Sequence, residues 1–417
     1  MNIVVIGGGI GGLSVAVACA RDGHDVVIVE RARDFGEVGA GIQISPNGMR
    51  VLDWLGLVDD HLSVATIPDR IVIRRWQDDR IIGSTELGGA VSRRHGQPYT
   101  NVYRPDLVEV LARGVARIQE RRPGSIEIRF GVEPIAIDDG RDDPRDDPRD
   151  HVTIRLSNGD RIDGHLVIGA DGVHSATRQH LVEIGALDET PSRFSGYVAY
   201  RALVPRKSVS DLAAEVTNRL GPDRHVVTYF VGKDRRLLNL VAFVPEANWT
   251  LESWTEPGRL DELARWYESW SPELTRILER VETPVYRWAM HDREPLPRWS
   301  DGRITLLGDS CHPMLPFMAQ GGCQALEDAA VLTRCLNGID PADGSALTTA
   351  LSRYERIRRP RTDVVQKRSW RNATVFHLPD GPDQERRDAD LADRSPLEAL
   401  AANDWLYSYD AVTTDLP

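Results

Sequence analysis

Near its start the chain has two unbroken apolar runs, NIVVIG at 2–7 and DVVIVE at 25–30. Between them lie GGIGG and LSVAVACARDG, a turn of small residues and then a helical pattern closed by glycine. Apolar runs without polar alternation predict strands buried on both faces, and the order strand, helix, strand predicts a parallel βαβ unit. HLVIGADG at 165–172 and RITLLGDS at 303–310 have the same character. These strands stop at Glu30, Asp171 and Asp309, which places three carboxylates along the carboxyl edge of one sheet, where open α/β folds bind ligands.

Residues 190–290 follow a different rhythm. SGYVAYRALVP, HVVTYFVG and LLNLVAFVP alternate β-branched and aromatic residues with polar ones, which predicts antiparallel strands; IVIRRWQDDRIIGSTEL at 71–87 predicts a hairpin. The expected fold class is therefore α/β, a Rossmann-type nucleotide domain with an inserted antiparallel β-sheet domain and a C-terminal helical segment. The nucleotide domain is expected at 1–70, 100–185 and 286–345, the inserted domain at 71–99 and 186–285, and the helix and tail at 346–417. GRDDPRDDPRDHV at 140–152 reads as an exposed hairpin tip. The C-terminal segment is expected to be a long helix interrupted at Pro360, followed by a loop-rich tail.

Composition narrows the partners. Net charge −12 argues against nucleic acid or an anionic membrane surface, and no run of about 18 apolar residues is present. The expectation is a soluble, cytoplasmic protein, monomer or homodimer. Cys19, Cys311, Cys323 and Cys335 lack C-x-x-C spacing and read as buried thiols; Cys311 beside His312 has no second ligand pair, so no metal is expected.

Gly7-x-Gly9-x-x-Gly12 follows a strand, opens a helix and precedes Glu30, eighteen residues after Gly12. The glycines let a pyrophosphate approach the helix N-terminus, and the carboxylate accepts from ribose hydroxyls. A glutamate there disfavours a 2′-phosphate, so FAD or NAD is expected, with Arg31 beside it as a complication. Further on, GDSCHPMLPFMAQGGCQALEDAA at 308–330 joins two stiffening prolines, Pro313 and Pro316, to a glycine pair, Gly321 and Gly322, at a helix start. A bare helix N-terminus offers unpaired N–H groups and partial positive charge, a cradle for something flat and electron-rich.

The set GGGIGG, GADGVHSATR and GDSCHPMLPFMAQGGCQALEDA resembles the single-component flavoprotein aromatic hydroxylases, the family of para-hydroxybenzoate and salicylate hydroxylases. The resemblance covers nearly the whole chain in order. YRPDL at 103–107, GYVAYRALVP at 196–205 and the terminal HLPDGP and DWLYSYDA are similar to the salicylate hydroxylase-like branch. It implies bound FAD, NADH or NADPH as transient co-substrate, O2, and a flavin hydroperoxide that hydroxylates a small phenolic or N-heteroaromatic carboxylic acid. By the same resemblance, Asp309 would accept from the FAD ribitol, and Asp171 would lie near the pyrophosphate. Arg104 would touch the phosphate or ribose region, and Pro313 to Gln320 would line the isoalloxazine. Gly321 and Gly322 would face the flavin pyrimidine edge.

His225 and Tyr229, four apart in RHVVTYFVG, would share a strand face. Relatives carry a similarly spaced pair facing the ring. His225 is the expected phenol base, titrating near neutrality, and Tyr229 the residue orienting a carboxylate or hydroxyl. Phe317 stands where many relatives on that branch carry histidine, which leaves regiochemistry and decarboxylation open. The alternative within enzymes is a tailoring hydroxylase or epoxidase of a larger, polyketide-like aromatic. A flavin-binding chaperone or sensor without turnover and a plain NAD dehydrogenase are the readings from other classes.

Overall fold

The structure is a computed structural model and describes residues 1–35, 39–140, 150–247 and 256–416. A six-stranded sheet runs in the order Ser300–Asp301, Ile304–Leu306, Leu166–Gly169, Asn2–Ile6, Asp25–Glu30, Ile126–Phe130. All its pairings are parallel except the first. Leu166–Gly169 and Ile304–Leu306 are wholly buried, which is why these strands read as unbroken apolar runs. Asn2–Ile6 sits at the reversal of strand order, so the crevice beyond its carboxyl end lies at a switch point. The helix Ile10–Arg21 packs on the sheet through Gly, Ala and Val; a Cβ on Gly11 would come within 2.5 Å of Leu307 Cδ2.

The inserted sheet has eight strands in the order Glu256–Gly258, Glu282–Asp292, Arg193–Pro205, Leu237–Pro245, Arg224–Val231, Glu215–Gly221, Arg70–Arg75, Ile81–Glu86. The hairpin expected at 71–87 is present as Arg70–Arg75 against Ile81–Glu86. The sheet is antiparallel save at Glu215–Gly221, which pairs parallel with Arg70–Arg75. One boundary is corrected: Glu282–Asp292 pairs with Arg193–Pro205 as far as Arg193 opposite Asp292, so the sheet continues past residue 286. One face buries Val226, Phe230, Leu240 and Ala242 under the helices Leu260–Trp266 and Pro272–Leu278. The opposite face looks toward the nucleotide crevice.

Two expectations for the C-terminal part are corrected. The helix Gly344–Phe376 runs unbroken through Pro360. Arg358 and Arg361 anchor it to Glu327 on either side of the proline, and the Thr362 hydroxyl donates to the Arg359 carbonyl (3.1 Å) within that turn. The tail beyond is helical, as Pro382–Ala392, Pro396–Ala401 and Asp404–Tyr407. Most of the acidic repeat at 140–152, residues 141–149, lies outside the described residues. Its flanks, Pro134–Asp138 and Val152–Leu156, pair antiparallel.

Candidate active site

The carboxyl edge of the parallel sheet carries the glycine turn, two uncapped helix ends and the carboxylates expected of a dinucleotide site. Gly7 adopts φ +104°, and a Cβ on Gly12 would stand 1.9 Å from the Gly7 carbonyl oxygen, so both positions require glycine. A Cβ on Gly9 would meet nothing within 4 Å: the turn opens there into free space, before a helix whose N-cap has no side-chain hydrogen bond. Glu30 accepts from the Gly8 amide (2.6 Å) and the Ala32 amide (2.7 Å), holding the turn while leaving each oxygen a second lone pair. Arg31 beside it is exposed.

Across the crevice, Gly308 at φ +68° turns Asp309 outward. Asp309 is open to solvent at the crevice mouth, yet the protein packed around it raises its carboxyl above the usual range, opposed by the His312 and Arg104 charges. Arg104, lowered by burial, is held up by Asp309 and Glu30 together. The helix Gly321–Leu336 also begins without a side-chain cap, and Cβ atoms on Gly321 or Gly322 would meet nothing nearer than 3.7 Å. Two bare helix ends, two carboxylates and an arginine between them fit FAD. Asp171 lies against Gly7, but its carboxylate accepts from the Ser175 hydroxyl (2.6 Å) and the Thr177 amide (3.0 Å), capping the helix Ala176–Glu183.

Pro313 is buried, with its carbonyl accepting from Gln366 (2.9 Å), and Pro316 opens the single turn Pro316–Met318. This loop pushes Leu315 and Phe317 against the crevice-facing side of the inserted sheet, beside Ala199, Phe243 and Met290. His225 lies there, stacked on Phe243 (ring centroids 4.3 Å apart) and edge-on to Phe317 and Phe376 at 5.4 and 5.3 Å. Its Nδ1 is 2.6 Å from Nε2 of His377, which in turn stacks on Tyr197 at 4.1 Å. An aromatic box with two imidazoles results, walled by sheet, loop and the end of the long helix.

The near-neutral imidazole expected at 225 is corrected. Burial, and then the neighbouring His377, hold His225 well below the ordinary histidine range, so it is neutral at physiological pH. Tyr229 shares the strand face but packs farther along, with Val231 and Val216, where a Cβ on Gly41 would strike its ring at 2.7 Å. Burial raises its hydroxyl, and the Arg201 charge opposes that. Arg201 and His377 are residues that motif reading did not single out. Arg201 lies 3.8 Å from the Trp288 ring centroid and is lowered to about 9 by burial and then by Arg104. Its placement in GYVAYRALVP, on the residue parity of Tyr197 and Ala199, was the available signal. Cys311, His312 and Asp328 approach one another within 4.8 Å; His312 Nε2, the Asp328 carboxylate and the Cys311 thiol are hydrogen-bonded, while His312 Nδ1 is buried without a partner. Asp328 accepts from His312 (2.5 Å), Arg358 (2.7 Å) and the Gly308 amide (3.0 Å), and Cys311 donates to the Gly308 carbonyl (3.3 Å).

Comparison with known proteins places this architecture. The model of the FAD binding domain family matches residues 1–369. The chain is 37% identical to a 3-amino-4-hydroxybenzoate 2-monooxygenase of Streptomyces platensis, over 98% of this chain and 96% of that one. It is 35% identical to the 6-hydroxynicotinate 3-monooxygenase of Bordetella bronchiseptica, covering 92% and 94%. Among solved structures, Klebsiella pneumoniae HpxO complexed with FAD and uric acid superposes with a TM-score of 0.80 at 25% identity, covering 96% of this chain and 95% of that one. Among the described residues, no helix is long and apolar enough to cross a membrane.

Proposed function

The chain belongs to the FAD binding domain family as an FAD-dependent aromatic monooxygenase, and from that premise we propose that it hydroxylates a single-ring phenolic or N-heteroaromatic carboxylic acid with NADH or NADPH and O2. The observation that carries the reading is the box of His225, Tyr197, Phe243, Phe317 and Phe376, with Arg201 on the same sheet face. Bound FAD supplies the redox chemistry, taking reducing equivalents from the nicotinamide and activating dioxygen. Gly7, Gly9 and Gly12 admit the pyrophosphate, Glu30 and Asp309 accept from cofactor hydroxyls, and Arg104 balances their charge. Gly321 and Gly322 present a helix N-terminus whose partial positive charge favours an electron-rich flavin edge.

On the substrate side, a carboxylate set against Arg201 offsets the mutual repulsion of Arg201 and Arg104, which favours an acid over a neutral ring. Tyr229, kept protonated by burial, orients that carboxylate or a ring hydroxyl as a donor. His225, neutral and stacked, accepts a hydrogen bond from the phenol and withdraws its proton as the ring is attacked. Phe317 and Pro316 press on the ring and exclude water. The relatives' named substrates, an aminohydroxybenzoate and a hydroxynicotinate, are single rings, which favours one ring over the larger polyketide-like aromatic.

The test is a panel scored by substrate-stimulated NADH and NADPH oxidation, with product identified by mass. Aminohydroxybenzoates, hydroxybenzoates and hydroxynicotinates are expected to stimulate, and their decarboxylated or amidated analogues to fail. Stimulation by multi-ring aromatics alone sinks the reading. Purified protein is expected to be yellow, with flavin released on denaturation.

A further inference from the structure

His377 stands outside every cofactor motif, at the end of the helix Gly344–Phe376, yet its Nε2 is 2.6 Å from Nδ1 of His225. At that distance one hydrogen lies between two nitrogens, and a neutral imidazole carries a single N–H. Where the shared hydrogen resides therefore dictates what His225 Nε2 can do. If His225 Nδ1 holds it, Nε2 is a bare acceptor; if His377 Nε2 holds it, His225 Nε2 carries a hydrogen and donates. The surroundings keep both rings uncharged. Phe243, Phe317 and Phe376 enclose His225, and Tyr197 stacks on His377. Burial takes His377 down to about 3. Asp223 is an exposed residue whose amide donates to the His377 carbonyl (3.2 Å) and whose carboxylate helps burial raise the Tyr197 hydroxyl.

We propose that His377 is a positioning residue that acts through His225, the two imidazoles moving the substrate's phenol proton as a coupled pair. The inference rests on the reading of the box as the substrate site. The phenol O–H breaks as its proton passes to His225 Nε2, the shared hydrogen passes from His225 Nδ1 to His377 Nε2, and His377 gives up its Nδ1 hydrogen, which is buried without a protein partner, to a solvent water entering beside the exposed Asp223. Both rings finish neutral, the phenol becomes a phenolate, and one proton reaches solvent. Neither imidazole has to hold a net charge in the apolar box, which is the difficulty a lone buried histidine base would face. In the new tautomer His225 Nε2–H donates to the phenolate it has produced.

Two measurements on the FAD-loaded protein decide the matter. In 15N-histidine-labelled protein, an imidazole N–H proton shared between two ring nitrogens is expected, with a coupling across the hydrogen bond that vanishes in His377→Phe. Its absence in the wild type overturns the proposal without reference to any substrate. The second measurement titrates bound 3-amino-4-hydroxybenzoate and 6-hydroxynicotinate by ultraviolet difference spectra. His377→Phe and His225→Phe are each expected to weaken ionisation of the bound hydroxyl by ~10-fold or more, and the double variant to lose no more than either alone. His377→Gln, which disturbs packing less, is expected to behave like His377→Phe. Wild-type ionisation in both His377 variants alongside loss in His225→Phe overturns the pair and leaves the base intact. Unchanged ionisation in all variants overturns the pair and the substrate reading of the box together.

Discussion

Arg358 has none of its surface open to solvent, and its guanidinium reaches Glu327, Asp328 and the Gln324 side chain, all equally buried. Burial alone would raise both carboxyls; the Arg358 charge, with Arg361 on Glu327 and His312 on Asp328, outweighs it and holds both below the usual range. Removing Arg358 alone strands two carboxylates, so Arg358→Met is expected to cost about 3–5 kcal/mol in denaturant unfolding. The pH dependence follows from the depressed carboxyls. Their contribution is complete above the ordinary carboxyl range of about 4 and is lost as pH falls through the lower folded values. The gap between wild type and variant should therefore narrow below about pH 4; a gap that stays constant with pH would place the damage in packing. At the crevice, Glu30→Ala and Asp309→Ala each remove a charged acceptor worth about 1.5–3 kcal/mol, and flavin retention is expected to fall accordingly. Equilibrium dialysis showing unchanged FAD affinity in both would refute their placement.

The first βα turn offers a sharper contrast, because two of its glycines are small for different reasons. On Gly12 a methyl would collide with the Gly7 carbonyl inside the protein; on Gly9 it would point into the open crevice. Gly12→Ala is therefore expected to lower the melting temperature of the flavin-free protein. Gly9→Ala should leave that temperature unchanged while weakening FAD retention. Equal melting losses in both would mean the Gly9 space is structural. The sequence made this element legible because its strands are buried on both faces and its spacing is local. The inserted sheet was legible as alternating strands, but the parallel pairing of Arg70–Arg75 with Glu215–Gly221 was not, since it joins segments far apart in the chain. Pro360 misled for the converse reason: a local rule about proline was overridden by tertiary anchors to Glu327 and Asp328. His225 was visible as a candidate through its strand position, but its partner was not. A histidine at a helix end carries no periodic signal, and only the fold brings residue 377 to residue 225.

Across the whole molecule, the last turns of the chain close the nucleotide domain. The family match ends at residue 369, yet side chains from three helices reach past it to hold the tail by its carbonyls. Arg50 donates to Tyr407 (2.6 Å) and Tyr409 (3.1 Å), Arg361 to Leu406 (2.9 Å), and Arg334 to Ala411 (2.9 Å) and Thr414 (2.8 Å). Short helices leave their final carbonyls without partners, and arginines supply them. Beneath, Leu406 and Tyr407 pack on Leu87, Val91, Tyr99 and Val365, so the tail also covers apolar surface shared with the inserted segment. Arg361 is the mechanical link: the same guanidinium that holds the tail also binds Glu327, six residues along the helix that starts at Gly321. Ending the chain after Asn403 removes Leu406 and Tyr407, each worth about 1.5–3 kcal/mol of burial, together with those carbonyl acceptors. The shortened protein is expected to fold, because the six-stranded sheet contains none of the removed residues. It should nevertheless release flavin at a temperature several degrees lower when followed by flavin fluorescence. Arg361→Met in the full chain should reproduce part of that shift, whereas an alanine at exposed Glu385, on a surface turn of the helix Pro382–Ala392, should not. A truncated protein that keeps the full-length release temperature would show that the tail only shields surface and that the helix Gly321–Leu336 holds its place unaided.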